Sequence, residues 1–198
     1  MGCGKSSVGR ELSRLLCCPF MDLDDVIVQR EGRTIPDIFA TDGEAAFRQM
    51  ELQALQSLAG QLPEYSRGPL PLRGPLPLAG GGKMPLPSNR QLAHEDSSHE
   101  TVVLALGGGT VMTKECREIV KEKTVCVYMK AEVETLMEHL EGQTEGRPML
   151  SGTCLRQRIE ELMQCRAAVY EETAHHIIAT DGMSVEQVGM KIRETLKF

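Results

Sequence analysis

A chain of 198 residues has room for one domain with a sizeable core and too little for two ordinary ones. Hydrophobic residues at 41% and charged residues at 25% are the proportions of a water-soluble globular domain. The formal net charge of -6 argues against nucleic acid or an anionic membrane as a partner, though not against a local basic pocket for a small anion.

No run of about 18 apolar residues is present to span a bilayer, and no secretory signal opens the chain. Seven cysteines, an odd number without a CxxC pair, read as reduced, small apolar residues and point to the cytoplasm.

Gly2-Cys3-Gly4-Lys5-Ser6-Ser7 runs directly into apolar positions at helical spacing (Val8, Leu12, Leu15, Leu16), predicting a helix over residues 5–17. A short strand is expected at 19–21, ending at Asp22, then a helix over 24–30 stopped by Gly32. A long helical pattern starts at Ile35 and is divided in two by Gly43.

Residues 61–100 change character: RGPLPL occurs twice in tandem, followed by Gly80-Gly81-Gly82 and Pro85-Leu86-Pro87. Proline at every second position excludes helix and removes ladder donors, so a disordered insertion is expected here. A docking motif for a proline-recognising partner is the sharper alternative.

Residues 101–106 form an uninterrupted apolar run, suited to a strand buried on both faces and closed by Gly107-Gly108-Gly109. A helix is expected over 114–121, a strand over 124–128 and a helix over 133–140. The polar stretch 141–152 reads as a loop, followed by a helix over 155–173, a strand over 176–179, and a last helix running from the N-cap Ser184 to about Leu196. Short apolar strands alternating with helices give an α/β fold: a parallel sheet with helices on both faces, in one domain over 1–198.

Gly4-Lys5-Ser6 supplies the second half of the phosphate-binding pattern GxxxxGK[ST], immediately before a helix. Glycines let backbone N–H groups turn onto phosphates, and the helix N-terminus adds partial positive charge. ATP would then lie on Gly2, Cys3, Gly4, Lys5, Ser6 and Ser7, with Lys5 reaching the β- and γ-phosphates and the Ser6 hydroxyl on Mg²⁺. The first glycine of the pattern and the strand that carries it do not occur after Met1. That strand is expected to be missing from this chain, leaving its neighbours in the sheet a gap one strand wide.

Seven stretches in order are more specific: Gly4-Lys5-Ser6-Ser7-Val8-Gly9-Arg10, Asp22-Leu23-Asp24, Ile38 to Glu44, Phe47-Arg48, Gly107-Gly108-Gly109, Arg147-Pro148-Met149-Leu150 and Cys165-Arg166-Ala167. In these the chain resembles the shikimate kinases over nearly its whole length. The resemblance implies a three-layer P-loop kinase fold and transfer of the γ-phosphoryl of Mg-ATP to the 3-hydroxyl of shikimate, a step of aromatic amino-acid biosynthesis. It implies Asp22 beside the Mg²⁺ position and Asp24 as candidate general base at the acceptor hydroxyl, where an Asp capping a helix is the structural alternative. Arg48 and Arg166 would grip the substrate carboxylate, a task suited to a planar guanidinium, although Arg48 is also placed to pair with Glu44 or Glu51.

Gly107, Gly108 and Gly109 would bring backbone N–H groups to the substrate. Arg147 would sit in a lid over 141–152, stabilising the transferring phosphoryl group and excluding water. Arg10 is placed for the phosphates or for a salt bridge, and Thr180-Asp181-Gly182 resembles the adenine-side loop. A monomer is expected. Two alternatives stay open: a kinase for another hydroxy acid such as gluconate, and a catalytically impaired kinase-like chain acting as a binding module.

Overall fold

The computed structural model describes residues 2–60, 101–140 and 155–198. The expected proline-rich insertion, and the expected lid with Arg147, lie outside the described residues.

Helix α1 (Lys5–Leu16) is followed by strand β1 (Phe20–Asp22) and helix α2 (Leu23–Glu31), which ends at Gly32 with φ 64°. Gly43 begins a new helix rather than kinking an old one, so α3 (Ile35–Thr41) and α4 (Gly43–Ala59) are separate. Then come β2 (Val103–Ala105), a 3-10 turn (Thr110–Met112), α5 (Lys114–Lys123), β3 (Val127–Lys130), α6 (Val133–Leu140), α7 (Leu155–Thr173), β4 (His176–Ala179) and α8 (Val185–Leu196). The expected N-cap Ser184 forms a full capping box with Gln187, satisfying orphan donors at both ends of the motif.

The described strands make two parallel pairs, β1 with β2 and β3 with β4, rather than one continuous sheet. The layers follow the period-2 alternation of strand side chains. Val103, Val127 and Met129 pack with Val8 and Leu12 of α1 and Val188 and Ile192 of α8. Leu104, Leu106 and Cys126 turn the other way, onto Leu55, Val111, Cys116 and Val120. A third cluster, centred on Leu23, Ile27, Ile38 and Phe47, joins α2, α3 and α4.

Two expected strands differ. The strand expected over 101–106 is only Val103–Ala105, half-buried along most of its length, because β1, its one partner among the described residues, spans three residues. The strand expected over 124–128 starts three residues later. Its register is set by β4 (Val127 opposite His176), while Thr124 is spent on closing α5, its hydroxyl donating to Val120 O at 2.7 Å.

Candidate active site

Gly2 and Gly4 have φ of 69° and 70°, in the left-handed region that glycine enters without steric cost. They turn the chain into α1, whose N-cap Gly4 offers no side chain and whose first turn holds no acidic residue. The N–H groups of that turn have no intrahelical acceptor, so with Lys5 they make an end suited to an anion. Gly2 is also wedged against α6: a Cβ there would lie 2.8 Å from Leu140 Cγ, and its carbonyl oxygen is 2.9 Å from His139 Nδ1. Ser7 is exposed on the first turn, and Cys3 lines the cleft described below.

Asp22 ends β1 and receives the Ser6 hydroxyl at 2.6 Å. Its other oxygen accepts from Asp24 N at 3.1 Å, so Asp22 is itself the cap of α2. The capping role open to Asp24 in the sequence therefore falls to Asp22, and the Asp24 carboxyl is left for other work. A hydroxyl and a carboxylate this close are hard oxygen donors suited to a small divalent ion that keeps most of its water. Among the described residues no group of three or more His, Cys, Asp or Glu forms a cage of its own.

Burial pushes the Asp24 carboxyl up to about 6; the Asp22 and Glu51 carboxylates add to the rise and Lys5 opposes it. Burial also pushes the Cys116 and Cys126 thiols up to about 11, as inert core cysteines.

Arg48 on α4 bonds Glu51 at 2.5 Å and Glu44 at 2.8 Å, so both pairings open in the sequence are made. Glu51 is fully buried and its second oxygen accepts from the Thr110 hydroxyl at 2.5 Å. The triple glycine lies against this cluster. A Cβ on Gly107 would lie 2.7 Å from Glu51 Oε1 and 3.0 Å from Asp24 Oδ1, and one on Gly109 would overlap the Arg48 guanidinium. Gly108 turns its carbonyl to α7, where it accepts from Arg166 Nη1 at 3.2 Å and from the Tyr170 hydroxyl.

Lys5, Ser6, Asp22 and Asp24 thus gather at the ends of β1 and α1, with Arg48, Gly107, Gly108, Gly109 and Arg166 around the adjoining loop. Arg10 is elsewhere: its guanidinium lies 4.9 Å over the Phe20 ring, and the residue is exposed. Asp181 ties the loop after β4 to α6, accepting from Glu132 N at 2.8 Å and the Thr135 hydroxyl at 2.7 Å. A cleft of about 700 Å³ including its open mouth runs beside the loop, bordered by Cys3, Lys5, Gly107, Gly108, Tyr128 and Tyr170.

Glu51, Thr110 and Tyr170 were not among the sequence candidates. Glu51 had a signal: Phe47, Glu51, Ala54 and Leu55 share the buried stripe of α4, an acid where only apolar residues are expected. Thr110 and Tyr170 had none, because their contacts span 59 and 62 residues of sequence.

The family model described as shikimate kinase matches residues 1–62 and 87–197. The shikimate kinase of Thermus thermophilus is 35% identical over 196 residues, covering 99% of this chain and 85% of the relative. That of Dictyoglomus turgidum is 30% identical over 199 residues, covering 100% and 93%. Among solved structures, the shikimate kinase of Acinetobacter baumannii in complex with shikimate superposes with a TM-score of 0.76 at 28% identity, covering 100% of this chain and 89% of that one. The Aquifex aeolicus enzyme gives 0.66 at 26%, covering 100% and 91%. With a family match over most of its length and relatives of this identity and coverage, the chain belongs to the shikimate kinase family.

Proposed function

We propose that this chain transfers the γ-phosphoryl group of ATP to the 3-hydroxyl of shikimate, giving shikimate 3-phosphate and ADP. The observation that carries the reading is the convergence of an anion-binding helix end, a poised carboxyl and two arginines on one site. Phosphates would lie on the N–H groups from Gly2 to Ser7, with Lys5 on the β- and γ-oxygens. Ser6 and Asp22 would hold Mg²⁺, which when bound neutralises charge across the β- and γ-phosphates.

Asp24 would accept the proton of the attacking hydroxyl. Being pushed up to about 6 by burial, it is ionised at neutral pH and more basic than an ordinary carboxylate. Arg48 would present its guanidinium fork to the substrate carboxylate, braced from behind by Glu51. Arg166 would supply the second fork, and the N–H groups of Gly107, Gly108 and Gly109 would complete the pocket. Arg147 would close over the transferring group as part of a lid on 141–152.

The net charge of -6 and the described cysteines, all free and two of them exposed, support a cytoplasmic monomer without nucleic-acid or membrane partners. Among the described residues no helix is long and apolar enough to cross a membrane. Measuring turnover with shikimate and with gluconate as sole acceptor tests the substrate. Preference for gluconate would sink the assignment.

A further inference from the structure

We propose that Tyr170 is a positioning residue for substrate binding, keeping the Gly108 carbonyl satisfied when Arg166 turns to the substrate. The inference rests on the functional reading above, in which Arg166 takes the substrate carboxylate. Gly108 O accepts two hydrogen bonds from α7, one from Arg166 Nη1 at 3.2 Å and one from the Tyr170 hydroxyl. The donors are one helical turn apart, so the same face of α7 offers both to one oxygen.

Of the two donors, Arg166 is the one that a substrate carboxylate would draw away. Arg166 is 7% exposed, and turning its fork toward an incoming carboxylate would weaken the bond that Nη1 makes to Gly108. Gly108 is half-buried beside the open cleft, and a substrate filling that cleft would exclude the water that could replace a lost bond, so a carbonyl abandoned there would weaken substrate binding. Tyr170 prevents it, because its bond to the same oxygen persists through the exchange. Its ring is held for the purpose by Tyr128, with centroids 5.3 Å apart. Tyr170 also borders the cleft next to Gly107 and Gly108, so loss of its hydroxyl would free the middle of the triple glycine to turn its peptide.

The test is steady-state kinetics and shikimate calorimetry on Tyr170→Phe, which keeps the ring and removes one donor. The expected result is a shikimate KM and Kd raised about five- to tenfold, the size of one neutral hydrogen bond. The ATP KM is expected to stay within about twofold, and kcat to fall less than about threefold. Tyr128→Phe, which leaves both bonds to Gly108, serves as control and is expected to leave the shikimate KM within about twofold. A Tyr170→Phe shikimate KM within twofold of the parent overturns the proposal. So does an equal rise in both KM values, which marks general loosening of the fold. A parent chain that neither binds nor phosphorylates shikimate overturns the functional reading, and this inference with it.

Discussion

Arg48 and Glu51 stand one turn apart on α4 and share a 2.5 Å ion pair in which the carboxylate is fully buried and the guanidinium reaches the triple-glycine loop. The buried carboxylate holds the arginine in a fixed direction, and its second oxygen anchors the loop through Thr110. The pair therefore joins the stability of α4 to the shape of the proposed carboxylate site.

Glu51→Ala should leave the Thr110 hydroxyl without its acceptor and Arg48 with only the exposed Glu44 as its ion-pair partner. Removing one member of a buried pair costs about 3–5 kcal/mol, and the partial exposure of Arg48 puts this case at the lower end, about 3 kcal/mol. Urea unfolding measures it. Glu51→Gln, which keeps one acceptor for Thr110, should cost less.

Arg48→Lys keeps the charge and loses the fork. A charge-assisted hydrogen bond is worth about 1.5–3 kcal/mol, so the shikimate KM should rise by about tenfold or more with the ATP KM unchanged. A lysine variant with the parent's shikimate KM would show that the fork does not hold the carboxylate.

Gly109→Ala should act on the same group from the other side, because its methyl would occupy the place of the Arg48 guanidinium. Displacing it strains the ion pair with buried Glu51, so stability should fall by about 1–3 kcal/mol while the binding group itself moves. The shikimate KM should rise by about as much as in Arg48→Lys, with calorimetry separating binding from turnover.

Asp24 links activity and stability to pH with opposite signs. Its carboxyl is raised from 3.8 to about 6, so the folded chain binds a proton that the unfolded chain has released between those values. Stability from this group is full below 3.8 and falls as pH rises through about 6, by roughly 3 kcal/mol in all. Asp24→Asn should thus be more stable than the parent above pH 6 and about 10²- to 10⁴-fold slower. In the parent, kcat/KM should fall as pH drops through about 6, with the acid limb absent from the residual activity of the variant.

Much of this was legible in the sequence. The helices from α1 to α8 follow apolar spacing and glycine stops, as at Gly32 and Gly43, because these signals are local. The extents of β2 and β3 were not, since a strand's length is set by its partner's register, as Val127 opposite His176 illustrates. Lys5, Asp22 and Arg48 stand out from motif and resemblance, and the fold sets them around the loop that Gly107 to Gly109 form. Tyr170 was hidden, because only the fold brings it to Gly108. Arg10 shows the converse: its neighbour is the Phe20 ring, a contact that helical spacing does not reveal.

The most direct test of the central claim is ADP release by this chain with Mg-ATP, with and without shikimate, and phosphorus NMR of the product. The expected result is shikimate-dependent ADP release accompanied by a phosphate ester at the 3-hydroxyl. ATP binding without shikimate-dependent turnover, or a product phosphorylated elsewhere, would contradict it.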